Sequence, residues 1–123
     1  MTISNFFLVF VGGGLGAAVR FLVTTAAARW GAAFPFGTLA VNAVGSFLMG
    51  LVMGAILLLT EKYGLIAESL RLLLAVGFLG GLTTFSSFSF ETLLLLKGGS
   101  YLLALYSVAL QLLAGLLLAA FGM

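Results

Sequence analysis

The chain contains no cysteine, no histidine and no aspartate, and it has only three acidic against five basic residues. Without thiols and imidazoles it cannot form a disulfide, an ordinary zinc site or a serine–histidine catalytic pair. The sequence therefore predicts that the protein is not an enzyme. The net charge of +2 rests on too few groups to suggest a nucleic-acid partner.

Charged residues make up only 7% of the sequence, whereas 63% is hydrophobic and the mean hydropathy is +1.35. A soluble domain of 123 residues needs a charged exterior, and these residues cannot make one. The expected fold class is an all-α membrane protein, with a single transmembrane domain of four helices over residues 1–123.

Hydropathy places the four spans at about residues 5–28, 37–59, 70–96 and 100–121, each long enough to cross a bilayer. Short connections are expected at 29–36, 60–69 and 97–99. The first span resembles a signal peptide only weakly, because no basic residue precedes its apolar run and Arg20 lies before the alanines that could mimic a cleavage site. We therefore expect it to be retained.

The basic residues near the span ends are almost evenly divided between the two sides of the membrane. Lys62 and Arg71 flank the second connection, whereas Arg29 and Lys97 lie on the opposite side, with Arg20 towards that end of the first span. Such residues normally set orientation. Either a weak bias fixes one orientation, or the chain inserts both ways and pairs with itself antiparallel.

Small and polar residues recur every four positions along the second span. Residues four apart share a helix face, and small ones allow helices to approach closely. Tight packing accounts for the glycines, but an amide at membrane depth is expected to face the interior or a cavity. The stripe consists of Thr38, Asn42, Ser46, Gly50 and Gly54.

The fourth span carries a shorter line of Ser107, Gln111 and Gly115. Gln111 needs a partner, and either an interhelical hydrogen bond or a polar lining would provide one. Arg20, the permanent charge inside the first span, has three possible roles. It can extend to the interface, set a positive potential near a vestibule, or pair with Glu91 or with the carbonyl end of a helix.

The third span contains residues that lipid does not favour. Gly80 and Gly81 are followed by five hydroxyl side chains between positions 83 and 89. A helix broken at mid-membrane is tolerated where it is buried in protein or lines a wet path. The first half would end in free carbonyls, which suit a cation, and the second would begin with free N–H groups, which suit an anion. Thr83 and Thr84 are natural caps for the second half.

Beyond this interruption, Thr84, Ser87 and Glu91 fall on one helix face, and Phe85 and Phe88 share an adjacent one. Hydroxyls donate to anions, and a phenyl ring does so weakly through its positive edge. A site without a cation would hold an anion loosely enough to release it, as conduction requires. Ordinary packing is the alternative role of the two rings.

The segment GFLGGLTTFSSFSFE at 77–91 resembles the central motif of the Fluc/CrcB fluoride channels. The resemblance extends to the glycines and Arg20 of the first span and to the FPFGTL segment at 34–39 that leads to Asn42. It implies an antiparallel, dual-topology homodimer with two fluoride pores. It also implies a structural, untransported Na⁺ at the dimer centre.

By position, the resemblance implies that the backbone carbonyls of Gly80 and Thr83 hold the Na⁺ as the metal site. Phe85 and Phe88 would be ring-edge fluoride ligands, with Asn42 as a pore donor. The full expected fluoride path is Asn42, Thr84, Phe85, Ser87, Phe88, Ser107 and Gln111, and the expected vestibule or structural polar residues are Arg20, Thr38 and Glu91.

The expected function is a fluoride-selective channel for passive F⁻ export, which would relieve fluoride toxicity in the cytoplasm. The expected location is the plasma (inner) membrane of a prokaryote, and the expected partners are a second copy of the chain, fluoride and the lipid bilayer. The alternative is a small dual-topology, proton-coupled multidrug exporter, although the first span lacks the carboxylate that proton exchange needs. A non-transporting assembly subunit would leave Asn42 and Gln111 unexplained.

Overall fold

Among the residues that the structure describes, four helical regions are long and apolar enough to cross a membrane: residues 3–30, 36–59, 64–97 and 101–122. The computed structural model describes residues 2–31 and 33–123. Its helices are α1 (Ile3–Ala27, followed by a 3₁₀ turn, Ala28–Trp30), α2 (Phe36–Leu59), α3 (Gly64–Leu70), a π-helical segment (Arg71–Leu79), α4 (Gly80–Leu82), α5 (Phe85–Lys97) and α6 (Tyr101–Gly122). The protein is a multi-pass membrane protein of the all-α class.

The third helical region begins earlier than hydropathy predicts. The connection expected over 60–69 is wrong in its second half, because α3 is already helical from Gly64. Glu68 and Arg71 stand one turn apart in it, with 2.9 Å between Oε1 and Nη2. These polar residues lower the local hydropathy without interrupting the helix, since helix formation requires hydrogen-bonded backbone and not apolar side chains.

Glycines bring α1 into direct contact with the third helical region. A Cβ atom at Gly12 would overlap the carbonyl oxygen of Leu73, and one at Gly16 would overlap that of Phe78. Gly81 lies equally close to the backbone of Gly13. Gly12 and Gly16 therefore serve close helix packing, because backbones this close leave no room for a side chain.

The α2 and α6 helices pack in parallel and in constant register. Each step of four residues along α2 is matched by a step of four along α6, so the small and polar stripe of one helix faces that of the other. The facing pairs are Asn42 with Gln111, Ser46 with Gly115, Gly50 with Ala119, and Gly54 with Met123. The packing face predicted for the second span is therefore the face that α6 covers.

Val41, Leu79 and Leu82 form the buried core where α2 meets the third helical region. Large apolar side chains cover the outside of the single chain, among them Trp30 and Leu58, which are more than 80% exposed. An apolar exterior of this kind fits a lipid environment or a second membrane-embedded chain.

Candidate functional site

Two extended residues, Thr83 and Thr84, separate α4 from α5. Their ψ angles are 152° and 116°, whereas Gly80 is helical. Thr84 caps α5 as predicted, because its side chain accepts a hydrogen bond from the Ser87 backbone N–H at 3.1 Å. The same prediction for Thr83 is wrong. Its hydroxyl donates back to the Leu79 carbonyl at 2.9 Å and so closes the preceding helix.

Asn42 provides hydrogen-bond partners for the backbone polar groups of Thr84, which are not paired within a helix. The Thr84 N–H donates to Asn42 Oδ1 at 2.8 Å, and Asn42 Nδ2 donates to the Thr84 carbonyl at 3.1 Å. One side-chain amide thus satisfies both polar groups of one peptide residue. Buried backbone groups need such partners, and hydrocarbon supplies none.

The same contacts release two carbonyl groups from helical hydrogen bonding. In a continuous helix the N–H of residue i donates to the carbonyl of residue i−4. The Thr84 N–H turns instead to Asn42, and the Ser87 N–H to the Thr84 hydroxyl. The carbonyls of Gly80 and Thr83, the two predicted as Na⁺ ligands, thereby lose their helical donors. Carbonyl oxygens without a hydrogen-bond donor are ligands of the kind that a hard cation prefers.

Arg20 lies beside this interruption and not in the two clefts described below. Its Nε donates to the Gly81 carbonyl at 3.1 Å. Of the roles considered from the sequence, this contact corresponds to pairing with the carbonyl end of a helix. The guanidinium occupies an acceptor that the interruption would otherwise leave free, and its charge complements the negative end of the helix dipole.

Gln111 forms the interhelical hydrogen bond considered as one of its two roles. Asn42 Nδ2 donates to Gln111 Oε1 at 2.7 Å, so α2 and α6 are bonded through their side chains. The other half of the amide, Nε2, is buried and has no partner within residues 2–31 and 33–123. Gln111 is 9% exposed.

A cleft of about 340 Å³ adjoins this group of amides. Phe85 and Phe88 border it, with ring centroids 5.7 Å apart and ring planes at 63°, an edge-to-face arrangement. Asn42, Thr84 and Gln111 also line it, so five residues of the predicted fluoride path meet in one place, with Thr83 of the predicted Na⁺ site beside them. The described part of its wall carries no charged side chain.

Thr38 and Glu91 meet in a second cleft, of about 510 Å³. The Thr38 hydroxyl donates to Glu91 Oε1 at 2.7 Å. Glu91 Oε2 is buried and unpartnered in the part of the chain that the structure describes. The predicted vestibule residues Thr38 and Glu91 are therefore adjacent, whereas Arg20 is separate from them.

Two residues of the predicted fluoride path, Ser87 and Ser107, line neither cleft, and the same holds for Arg20 and Gly80. Ser107 is 1% exposed and its hydroxyl lacks a partner among the described residues. Ser46 and Met49 also line the smaller cleft, although neither was predicted as a site residue. The place of Ser46 one turn after Asn42 could have revealed it, but nothing in the sequence singles out Met49.

The chain is similar to known proteins over nearly its whole length. The family profile described as "CrcB-like protein, Camphor Resistance (CrcB)" matches residues 7–123. A protein of Shewanella woodyi named fluoride-specific ion channel FluC is 43% identical over 110 residues, which cover 89% of this chain and 85% of the relative. The protein of that name from a Roseiflexus species is 46% identical over 101 residues, or 81% and 78% of the two chains.

These relatives are named as ion channels, in agreement with the expectation that the chain is not an enzyme. The match begins in the first helix and runs to the last residue, so it includes both clefts and the interruption at Thr83 and Thr84. By the extent of this match, the chain belongs to the CrcB-like family.

Proposed function

We propose that this protein is a fluoride channel that lets F⁻ cross the membrane passively. The observation that carries the proposal is the cleft in which Phe85, Phe88 and uncharged hydrogen-bond donors meet, in a chain whose relatives are named fluoride channels. An anion with no fixed cation beside it is held by ring edges, hydroxyls and amides, weakly enough to move on.

The functional unit is an antiparallel homodimer of dual-topology chains, with the third span of each broken at mid-membrane. Two observations support a second copy. Phe85, proposed as an anion ligand, is 76% exposed in the single chain, and Gly80 is exposed as well. Both residues need a neighbouring surface to act in a closed path or a coordination shell.

The carbonyls of Gly80 and Thr83 from each copy hold a structural Na⁺ at the centre of the dimer. Their fit rests on the hydrogen bonds that Asn42 and the Thr84 hydroxyl divert from the helix. Two carbonyls on one side do not enclose a cation, and a second copy would supply a second pair from the opposite side. The bound ion would fasten the two interruptions together and would not be transported.

Fluoride leaves the cell through two such pores, and this passive export limits fluoride toxicity in the cytoplasm. The expected location is the plasma (inner) membrane of a prokaryote. Thr38, Glu91 and the larger cleft form the vestibule, and Arg20 stabilises the interruption. Ser87 and Ser107 are assigned to the wall of the path.

Fluoride efflux from proteoliposomes tests the function directly. Purified protein is reconstituted with internal potassium fluoride, and an F⁻ electrode follows release once a potassium ionophore dissipates the membrane potential. We expect rapid release of fluoride and little of chloride, measured separately with a chloride electrode. If the folded, reconstituted protein releases no fluoride, the proposal is wrong.

A further inference from the structure

Ser46 lies on α2 one turn after Asn42, in the wall of the smaller cleft. Phe85 and Phe88 border the same cleft. Its volume is about 340 Å³, whereas a water molecule takes up about 30 Å³, and F⁻ is similar to water in size. An anion in this cleft therefore has room to reach the side chain of Ser46.

The Ser46 hydroxyl is not used within its own helix. Hydroxyl side chains in helices often donate to the carbonyl four residues earlier. Thr24, Thr60 and Thr92 all do so in this protein, at 2.8, 2.7 and 2.8 Å. Within residues 2–31 and 33–123, Ser46 makes neither this bond nor any other side-chain hydrogen bond. Its donor hydrogen is therefore left for whatever occupies the cleft.

The oxygen of this hydroxyl is also accessible from the cleft. Ser46 is half-buried, and Ser46 Oγ is not among the unpartnered side-chain atoms that the described chain shields from water. Those shielded atoms are Glu91 Oε2, Ser107 Oγ and Gln111 Nε2. An open hydroxyl can rotate its hydrogen towards a neighbouring acceptor, so no rearrangement of the helix is needed for it to donate.

Ser46 stands where the facing helix offers no side chain. Gly115 lies opposite it on α6, and a Cβ atom at Gly115 would be 3.5 Å from Ser46 Oγ, an ordinary contact. The polar line of α6 ends at this point, because only apolar residues and one glycine follow Gly115 before the last residue. At this level of the α2–α6 contact, the hydroxyl is carried by α2.

We infer that Ser46 is a further anion-contacting residue of the path, and that its hydroxyl supplies from α2 the donor that α6 lacks at Gly115. This inference rests on the proposed function. A hydroxyl hydrogen without a protein acceptor can donate to F⁻, and a hydrogen bond to a charged partner is stronger than one between neutral groups. Ser46 thus adds an accessible donor next to the two phenylalanine rings.

Ser46→Ala tests the contact, because it removes the hydroxyl and keeps a good helix former. We expect fluoride efflux from proteoliposomes to fall about tenfold, as the loss of one hydrogen bond to a charged group implies. Thr92→Val is the matched control, since the Thr92 hydroxyl donates within its own helix and Thr92 lines neither cleft. Efflux in Ser46→Ala within about twofold of that in Thr92→Val would overturn the inference.

A hydroxyl returned from the facing helix separates the donor role from a packing role. Ser46→Ala/Gly115→Ser places a hydroxyl on α6 next to the vacated space, whereas Ser46→Ala/Gly115→Ala adds a methyl group without a donor. We expect efflux to recover in the first double variant and to stay low in the second. Equal efflux in the two double variants would overturn the donor role.

Ser46→Cys gives an independent readout of position, because the chain has no cysteine of its own. Ag⁺, a small thiol-reactive ion, is added in nitrate medium during fluoride efflux. We expect it to stop efflux in Ser46→Cys and to leave wild type unaffected. Efflux that continues after Ag⁺ has reacted with the thiol would overturn the placement of Ser46 in the path.

The same measurements distinguish this inference from the proposed function. Fluoride efflux in wild type with no effect of Ser46→Ala and no block of Ser46→Cys rejects the role of Ser46 alone. Absence of efflux from the folded wild-type protein rejects the proposed function, and the role of Ser46 with it.

Discussion

The side-chain amide of Asn42 pairs with both backbone polar groups of Thr84, at 2.8 and 3.1 Å, across 42 positions of sequence. It takes the place of a neighbouring peptide group at a point where the helical hydrogen-bond pattern stops. Two consequences follow from one contact. The extended backbone is stabilised, and carbonyls that would have been bonded within a helix become available.

Asn42→Ala should destabilise the protein markedly, because it leaves the Thr84 N–H and carbonyl without their partner. Each such buried group costs about 1–3 kcal/mol, so the melting temperature in detergent should fall clearly. The control is Asn5→Ala at the only other asparagine, near the start of α1, which should change it little. Equal melting temperatures for the two variants would contradict the role of the Asn42–Thr84 pairing.

Phe85→Ile should reduce fluoride efflux strongly and leave the dimer intact. The substitution removes the ring edge but keeps an apolar side chain at an exposed position. Phe90→Ile is the matched control, since Phe90 is on the same helix, exposed and outside both clefts. Efflux is measured with the F⁻ electrode and assembly by cross-linking. Loss of the dimer in Phe85→Ile would instead make Phe85 a structural residue.

Removal of Na⁺ should weaken the dimer without unfolding the chain. The carbonyls of Gly80 and Thr83 would lose the ion that they share between copies, whereas the Asn42–Thr84 contacts stay within one chain. We expect a lower melting temperature and slower fluoride efflux when N-methylglucamine replaces Na⁺, with recovery when Na⁺ is restored. If neither quantity depends on Na⁺, the carbonyls hold no essential sodium.

Adding two lysines to the N-terminus should bias insertion towards one orientation. The present balance of Lys62 and Arg71 against Arg29 and Lys97 is nearly even, so two charges near a span end outweigh it. Accessibility of a terminal tag on each side of the membrane measures the orientation. Efflux should fall because fewer antiparallel pairs form, and it should recover when a copy biased the other way is co-expressed. Unchanged orientation and activity would contradict dual topology.

Gly50→Ala should separate α2 from α6, since a Cβ at Gly50 would overlap the carbonyl oxygen of Ala119. Such overpacking typically costs about 1–3 kcal/mol and should lower the melting temperature. Gly14→Ala is the matched control, because a Cβ there meets nothing within 4 Å. It should be neutral or slightly stabilising, as alanine favours the helix. A stable Gly50→Ala protein would show that the two helices can readjust.

Sequence patterns with a short repeat predicted much of this molecule. Hydropathy located four helices, and four-residue spacing marked the face of α2 that α6 covers. The hydroxyl cluster also identified Thr84 as the cap of α5. These features are set by neighbours a few positions apart, so local spacing is enough to detect them.

Contacts between distant parts of the chain could not be predicted in the same way. Arg20 reaches the Gly81 carbonyl across 61 positions, and the sequence left three roles open for it. The π-helical segment Arg71–Leu79 has no signature in hydropathy, because its wider turn reflects hydrogen-bond geometry and not side-chain polarity. Which atoms of Asn42 and Gln111 face each other depends on how three separate helices meet.

The matched four-residue steps of α2 and α6 keep every facing pair in the same register along the two helices. One residue inserted between Ser46 and Gly50 would turn the rest of α2 by about 100° and disengage every later pair at once. An insertion in the connections between helices would leave the facing pairs of α2 and α6 aligned. Length can therefore vary between the helices of this protein far more readily than within them, and the register fixed by Asn42 and Gln111 determines which side chains meet at the smaller cleft.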